Sequence, residues 1–426
     1  MTWALIGLLV LAAFAGAPLF AVLMGAAMVG FLAADIPLSV VAIEVYRIVD
    51  TPLLVTLPLF TFAGYVLAEA KTSERLVNLV QSVFGAMPSG LALVGFVACA
   101  LFTALTGASG VTIVALGALL LPALKSAGYD DRFSLGLVTT SGSLGLLLVP
   151  SVPLILYGIV AQQLDVGEPF TIGELFLAGV LPLLLMLGAL SAYTLWHHRG
   201  GQIPRVPFSA ARFRSALWAA RWEIPLPFVV LGGIYSGYFA ISEAAAMTAV
   251  YVTIAQVLLY REIAWRELPK IMVDSMVMVG GILLILGVAL AFTNFLVDAE
   301  VPQALVKFMQ AHVESALGFL LLLNIMLLVL GAMLDIFAAL VIVVPLILPV
   351  AVGYGIHPVH LGIIFLANMQ IGYFTPPVGM NLFIASYRFN RPLLELYAAC
   401  IPFMLVLLAA LLLITYVPWF SMALIE

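Results

Sequence analysis

The chain has 426 residues, 65% of them hydrophobic and only 9% charged, with a formal net charge of −5. Soluble domains carry about a quarter charged residues, so this composition excludes a soluble enzyme and leaves no hydrophilic stretch for a separate catalytic domain. The uncharged runs from Met1 to Ala34 and from Leu76 to Leu124 are long enough to cross a bilayer or to fold back inside it.

In chain order, the hydrophobic pattern predicts spanning segments at about 2–13, 16–34 and 52–70, a hairpin at 90–126, a broken helix at 131–162 and a last helix at 173–197. A second set follows: about 223–238, 241–260 and 279–297, a hairpin at 316–351, a broken helix at 359–387 and a last helix at 395–420. The first segment lacks the basic start of a cleavable signal peptide. Thr72–Ala86 and Ala299–Glu314 read as amphipathic helices lying at the interface.

The two sets are related by a shift of 227 positions, which places Pro122 on Pro349, Gly128 on Gly355, Gly145 on Gly372 and Pro150 on Pro377. Residues 1–197 and 223–426 therefore read as repeats joined by a basic linker, 198–222. That linker carries Arg199, Arg205, Arg212, Arg214 and Arg221. Positive residues concentrate in cytoplasmic loops, and threading outward from the linker puts 14 of the 16 basic residues on that side, all but Arg47 and Lys307. Both termini then face outward. Five crossings per repeat is odd, so the repeats are inverted. The fold class expected is an all-α polytopic membrane protein of two inverted repeats, each with three scaffold helices, a re-entrant hairpin, a broken helix and a final helix. Repeats of this kind are typical of secondary transporters with a site at mid-membrane.

Few residues are available for chemistry. Cys99 and Cys400 lie far apart in apolar runs and read as inert small hydrophobes. No Gly-rich phosphate loop followed by Lys-Ser or Lys-Thr is present. The first hairpin turns at Thr106-Gly107-Ala108-Ser109-Gly110, where glycine lets backbone approach a ligand. The Gly-x-Ser-Gly pattern also occurs in serine nucleophiles, but such a serine needs a base within reach. His197, His198, His312, His357 and His360 all fall at loops or helix ends. The second hairpin turns near Gly331-Ala332-Met333-Leu334-Asp335. A carboxylate at that depth is a functional candidate by its cost, and Asp is equally a strong helix cap. The broken helices carry matching interruptions: Ser141-Gly142-Ser143-Leu144-Gly145 with Val149-Pro150-Ser151-Val152-Pro153, and Asn368-Met369-Gln370-Ile371-Gly372 with Thr375-Pro376-Pro377-Val378-Gly379. Proline frees carbonyl oxygens one turn earlier. Those oxygens suit a hard cation such as Na⁺, and half-helix N-termini suit an anion.

These segments resemble the large membrane subunit of tripartite ATP-independent periplasmic (TRAP) transporters over essentially the whole chain. The resemblance rests on Gly107-Ala108-Ser109-Gly110, Gly128-Tyr129-Asp130, Pro150-Ser151-Val152-Pro153 with Tyr157-Gly158, and Gly331 through Asp335. It rests above all on Gly355-Ile356-His357-Pro358-Val359-His360-Leu361-Gly362-Ile363 and on the run Ile371 to Phe383. Ala108 stands where a second hydroxyl is common, and Val149 where a proline often precedes Pro150. The resemblance implies an elevator-type importer in the bacterial inner membrane, driven by Na⁺ and carrying a small organic anion. It implies two protein partners, a small four-helix membrane subunit and a periplasmic substrate-binding protein, with no organic cofactor and no nucleic acid.

Taken with the repeat offset, the Na⁺-binding set is expected at Gly107, Ser109, Gly145, Leu148 and Ser151 in the first half, and at Gly331, Asp335, Gly372, Thr375 and Val378 in the second. The non-polar members act through their carbonyls. The substrate is expected near Ala108, Ser109, Met333, Asn368, Pro150 and Pro377. A stand-alone Na⁺/carboxylate symporter of similar architecture is the alternative. A membrane enzyme would need a His, Glu or metal cluster at mid-membrane. A proton-conducting or structural subunit would string lysines or glutamates along several spans. Neither pattern is present.

Overall fold

Lipid supplies no partner for backbone N–H and C=O groups, so a chain this apolar must satisfy them within helices. A computed structural model describes residues 2–47, 51–87, 89–199 and 207–425, and the described residues contain helices and no strand. Arg205 and the linker positions 200–206 lie outside the described residues.

The first half begins with α1 (Thr2–Phe14), α2 (Leu19–Ala33), α3 (Ser39–Arg47) and α4 (Thr56–Glu69), followed by α5 (Thr72–Phe84). A hairpin of α6 (Gly90–Thr106) and α7 (Ser109–Ser126) comes next. The broken helix consists of α8 (Asp131–Ser141) and α9 (Val152–Gln163), and α10 (Ile172–Ala178) with α11 (Val180–His197) completes the half. The linker contributes α12 (Ala210–Ala219). The second half repeats the order with α13 (Pro225–Tyr235), α14 (Ile241–Thr253), α15 (Leu268–Asp298) and α16 (Val301–His312). Its hairpin is α17 (Ala316–Met333) and α18 (Ile336–Gly353), its broken helix α19 (Pro358–Gly372) and α20 (Met380–Phe389), and its last helix α21 (Leu393–Tyr416), with a short α22 (Trp419–Met422).

Among the described residues, seven helical segments are long and apolar enough to cross a bilayer, or up to nine if each bent pair is one span. The bend between α4 and α5 is 77° and that within the first broken helix is 43°. Local chemistry sets these boundaries. Asp130 caps α8 by accepting from the Arg132 and Phe133 N–H groups at 3.1 and 3.2 Å. A reciprocal Thr171–Glu174 pair opens α10. Polar side chains at these ends satisfy donors that have no partner inside the helix.

Helices α2, α4, α14 and α15 pack on one another as a frame. The hairpins and broken helices form an interlocked unit in which α9 packs on α18, α8 on α21 and α7 on α20. The halves of the sequence are thus interleaved in space rather than laid side by side. Four elements depart from expectation. Helix α3 was not anticipated. The linker folds in part as α12. Helix α15 starts at Leu268 rather than near 279, because Lys270 and Asp274, which read as loop, sit on its exposed side. Finally, α19 runs unbroken through Asn368 and Gln370 to Gly372, and the break lies beyond it at Thr375–Gly379.

Candidate functional site

The two hairpin tips meet. Helix α6 ends at Gly107, whose φ of +69° is a conformation glycine adopts without penalty, and α7 restarts at Ser109. The Ser109 Oγ donates to Asn381 Oδ1 at 3.0 Å, and the Asn381 N–H donates to the Tyr373 carbonyl at 2.9 Å. In the second hairpin α17 continues past Gly331 to Met333, so the turn is only Leu334–Asp335. Asp335 caps α18, its Oδ2 accepting from the Phe337 N–H at 3.0 Å. Its Oδ1 accepts from the Tyr373 hydroxyl at 3.0 Å, and that hydroxyl accepts from the Ile336 N–H. One tyrosine beside the second break therefore pins the second tip, while an asparagine beyond that break holds the first.

Between the tips lies a cavity of about 380 Å³. Gly107, Ala108 and Ser109 line one side, Asp335, Ile336 and Phe337 another. The frame closes it with Tyr65 from α4 and with Met278, Gly281, Ile282 and Ile285 from α15. Those α15 residues are in the middle of a 31-residue helix, so both tips lie level with the midpoint of the frame's long helix. The cavity lining holds one carboxylate, Asp335, and no basic side chain.

Each tip is seated against a break. A Cβ on Gly145 would strike the Ala100 carbonyl oxygen and come within 2.6 Å of the Ala104 nitrogen. A Cβ on Gly372 would lie 2.6 Å from the Gly331 Cα and 3.0 Å from its oxygen. Backbone thus meets backbone at both positions. In the first half Ser151 caps α9 and donates to the Leu146 carbonyl at 2.6 Å, with Leu148 at the preceding bend. In the second half the Gly379 N–H donates to the Ala332 carbonyl at 2.8 Å, tying the break to the hairpin. The Thr375 hydroxyl donates to Ile371 O at 2.8 Å. The peptide bonds before Pro150 and before Pro377 are both cis.

Of the residues expected around the substrate, Ala108 and Ser109 line the cavity. The other four do not. Met333, the last residue of α17, is 63% exposed. Asn368 is fully buried away from the cavity, donating to Ile364 O at 2.8 Å and to Asn324 Oδ1 at 2.6 Å. Pro150 is buried in the break, and Pro377 is exposed with its carbonyl accepting from the Tyr397 hydroxyl. Val378 is 40% exposed beside it. Sequence reasoning missed Tyr373, Asn381 and the frame residues Tyr65 and Met278. Asn381 left a signal, a polar side chain in an apolar stretch; Tyr65 and Met278 left none, because their role depends on which helices pack together.

The sequence model of the family described as "Tripartite ATP-independent periplasmic transporter, DctM component" matches residues 3–420. The chain is 37% identical over 403 residues to the C4-dicarboxylate TRAP transporter large permease protein DctM of Rhodobacter capsulatus, a match covering 92% of this chain and 91% of that one. It is 34% identical over 388 residues to the isethionate TRAP transporter permease protein DctMQ of Oleidesulfovibrio alaskensis, a match covering 91% of this chain and 60% of that longer protein. Among solved structures, the YdaH transporter of Alcanivorax borkumensis is similar in fold, with a TM-score of 0.64 at 16% identity over 86% of this chain and 85% of that one.

Proposed function

Because the chain belongs to the DctM component family of tripartite ATP-independent periplasmic transporters, we propose that it carries a small organic anion together with Na⁺ across the bacterial inner membrane by an elevator movement. The observation that carries this reading is the convergence of both hairpin tips and both helix breaks on one cavity, closed on its far side by the frame. Two relatives are named for a C4-dicarboxylate and for isethionate, both small anions, and an anion is the substrate class proposed here.

The cavity lining offers no lysine or arginine to neutralise an anion. The N–H groups at the starts of α7 and α18 point fixed partial positive charge toward it. Na⁺ supplies the rest. One ion sits among the carbonyls and hydroxyls of Gly107, Ser109, Gly145, Leu148 and Ser151. A second sits among Gly331, Gly372, Thr375 and Val378, with Asp335 contributing its charge. Glycine at 145 and 372 leaves no side chain between hairpin and break, and the Ala100 and Gly331 carbonyl oxygens lie against them; main-chain oxygens are the ligands a hard cation requires. Anion and cation binding are then mutually dependent. The unit of hairpins and broken helices moves against the frame, carrying the cavity past Tyr65 and Met278. A small four-helix membrane subunit and a periplasmic binding protein complete the transporter, and both termini face the periplasm. The DctMQ relative extends well beyond its match to this chain, which leaves room in it for a second subunit.

The test is uptake of a labelled C4-dicarboxylate into proteoliposomes holding this chain and the small subunit. Uptake should require an inward Na⁺ gradient and the binding protein. Uptake without Na⁺ would rule out coupling, and uptake by this chain alone would favour a stand-alone symporter. A single cysteine at Ala108, in a background with Cys99 and Cys400 replaced by serine, should change its labelling from the two faces as Na⁺ and substrate are added. Labelling from one face under every condition, in a transporting protein, would rule out the elevator.

A further inference from the structure

We propose that the linker helix α12 and the corner between α14 and α15 form a binding site for anionic phospholipid of the cytoplasmic leaflet. The two segments touch through Tyr260, whose hydroxyl lies 2.5 Å from the Ala219 carbonyl and 2.8 Å from Glu223 Oε2. Two acids of this region, Glu223 and Glu262, are engaged inward, while Glu267 and, on the adjoining α5, Glu74 are exposed. Glu223 is paired with Arg75. Glu262 accepts from Arg75 Nη1 at 2.5 Å and from the Lys71 N–H at 2.9 Å. Glu267 accepts from the Ala264 N–H at 2.8 Å. The bases are left over: Arg212, Arg214, Arg221, Arg261 and Arg266 form no ion pair among the described residues.

This separation is not general to the basic side of the molecule. Around the hairpin unit Arg391 bridges Asp131 and Glu395, Lys125 pairs with Asp131, and Arg132 and Arg388 donate to main-chain carbonyls. Among the described residues, the arginines whose guanidinium has neither a carboxylate nor a main-chain carbonyl partner are Arg199, Arg212, Arg214, Arg261 and Arg266, all on the linker or its neighbour on the frame.

The same surface carries large aromatics in the open. Trp218 is 70% exposed, Trp265 63% and Phe208 60%. On α12 a period of 3.6 puts the buried Ala216 and Ala220 on the packed side, Arg214 and Trp218 opposite, and Arg212 on the flank. The Arg221 guanidinium lies 4.8 Å over the Trp218 ring. Tryptophan sits at the headgroup level of a bilayer, and basic residues concentrate on the cytoplasmic side. Clustered arginines beside a membrane surface recognise anionic headgroups. A zwitterionic lipid would satisfy the aromatics and leave the arginines unneutralised. Charge complementarity therefore selects the anionic lipid, which would fix the frame in the leaflet while the hairpin unit moves.

The test uses the purified full chain in detergent. Lipid retained in native mass spectrometry and the shift in unfolding temperature are measured with phosphatidylglycerol, with phosphatidylcholine and with inorganic phosphate alone. Phosphatidylglycerol should be retained preferentially and should stabilise the protein. At about 1 kcal/mol per arginine near an anionic surface, each of Arg212→Gln, Arg214→Gln, Arg261→Gln and Arg266→Gln should cut that preference about fivefold. Arg388→Gln, on the hairpin unit, should leave it unchanged. In the unsubstituted protein, brominated phosphatidylglycerol should quench tryptophan fluorescence more than brominated phosphatidylcholine, and the excess should vanish in Trp218→Phe/Trp265→Phe. Equal retention and quenching by the two lipids, an undiminished preference in a variant combining the four arginine substitutions, or an equal shift with inorganic phosphate would each overturn the proposal.

Discussion

The two halves keep the same backbone and distribute different chemistry over it. Gly145 and Gly372, 227 positions apart, both press main chain against a hairpin. The polar side chains do not follow. Ala108 occupies in the first tip the place of Asp335 in the second, Ser109 that of Ile336, and Leu148 that of Thr375. Two clefts of one construction therefore differ in charge, since only the second has a carboxylate. The arms differ in the same way. On α5, Arg75 is buried between Glu223 and Glu262 with its guanidinium 4.0 Å over the Tyr260 ring. Burial alone would lower the pKa of Arg75, but its hydrogen bond to Glu262 and the field of Glu223 hold it above the ordinary value. At the matching place on α16 stands Pro302, the one buried residue of that helix. The first arm is clamped to the frame; the second leans on α18. Duplication fixed where the chain breaks and turns, and left each half free to carry different charge and to brace differently.

The clamp offers the largest effect. Arg75→Ala would leave Glu223, with a side chain 1% exposed, as an unpaired buried charge, at a cost of about 3–5 kcal/mol. The unfolding temperature in detergent should fall by at least about 5 °C. Lys307→Ala on the second arm, a surface change, should stay within about 0.5 kcal/mol and be unresolved in the same assay. Similar losses from both variants would mean that the arms are braced alike.

The charge difference between the tips is sharpened by Asp335→Asn. Asparagine still caps a helix and can still accept from Tyr373, so unfolding should be nearly unchanged. If the carboxylate serves the second ion, the Na⁺ concentration for half-maximal uptake should rise about tenfold, the equivalent of about 1.4 kcal/mol. An unaltered Na⁺ dependence would reduce Asp335 to a helix cap and make the two tips equivalent.

What could be read in advance follows the same division between backbone and side chain. Glycine and proline act on the chain at their own position, so the breaks at Pro150 and Pro377, the turn at Gly107 and the repeat itself were legible. Direction was not. Asn368 read as a ligand because it is polar in an apolar run, but its amide is used within the helix and on Asn324. Lys270 and Asp274 read as loop because they are charged, although long side chains near a helix end reach the interface. Tyr65 and Met278 wall the cavity through packing between distant helices, and no local pattern announces that.

The smallest expected effect tests whether the breaks act through main chain alone. Thr375 has a hydroxyl and its counterpart Leu148 has none, yet both occupy the bend after a packed glycine. In the structure the hydroxyl is already committed, donating to Ile371 O at 2.8 Å with the Met404 sulfur 3.6 Å away. Its carbonyl lies 2.9 Å from where a Cβ on Gly379 would sit. Thr375→Ala removes the hydroxyl and keeps the carbonyl. A hydrogen bond made within a helix is worth about 0.5–1.5 kcal/mol, and its loss here would loosen the bend rather than remove a ligand. Half-maximal Na⁺ should therefore rise only about twofold to threefold, and Thr375→Ser, which can restore the bond to Ile371 O, should behave as the unsubstituted protein. A tenfold or larger rise in Thr375→Ala, reversed by serine and unaccompanied by a fall in unfolding temperature, would mean that the hydroxyl turns into the ion's shell. The two breaks would then differ in ligands as well as in charge.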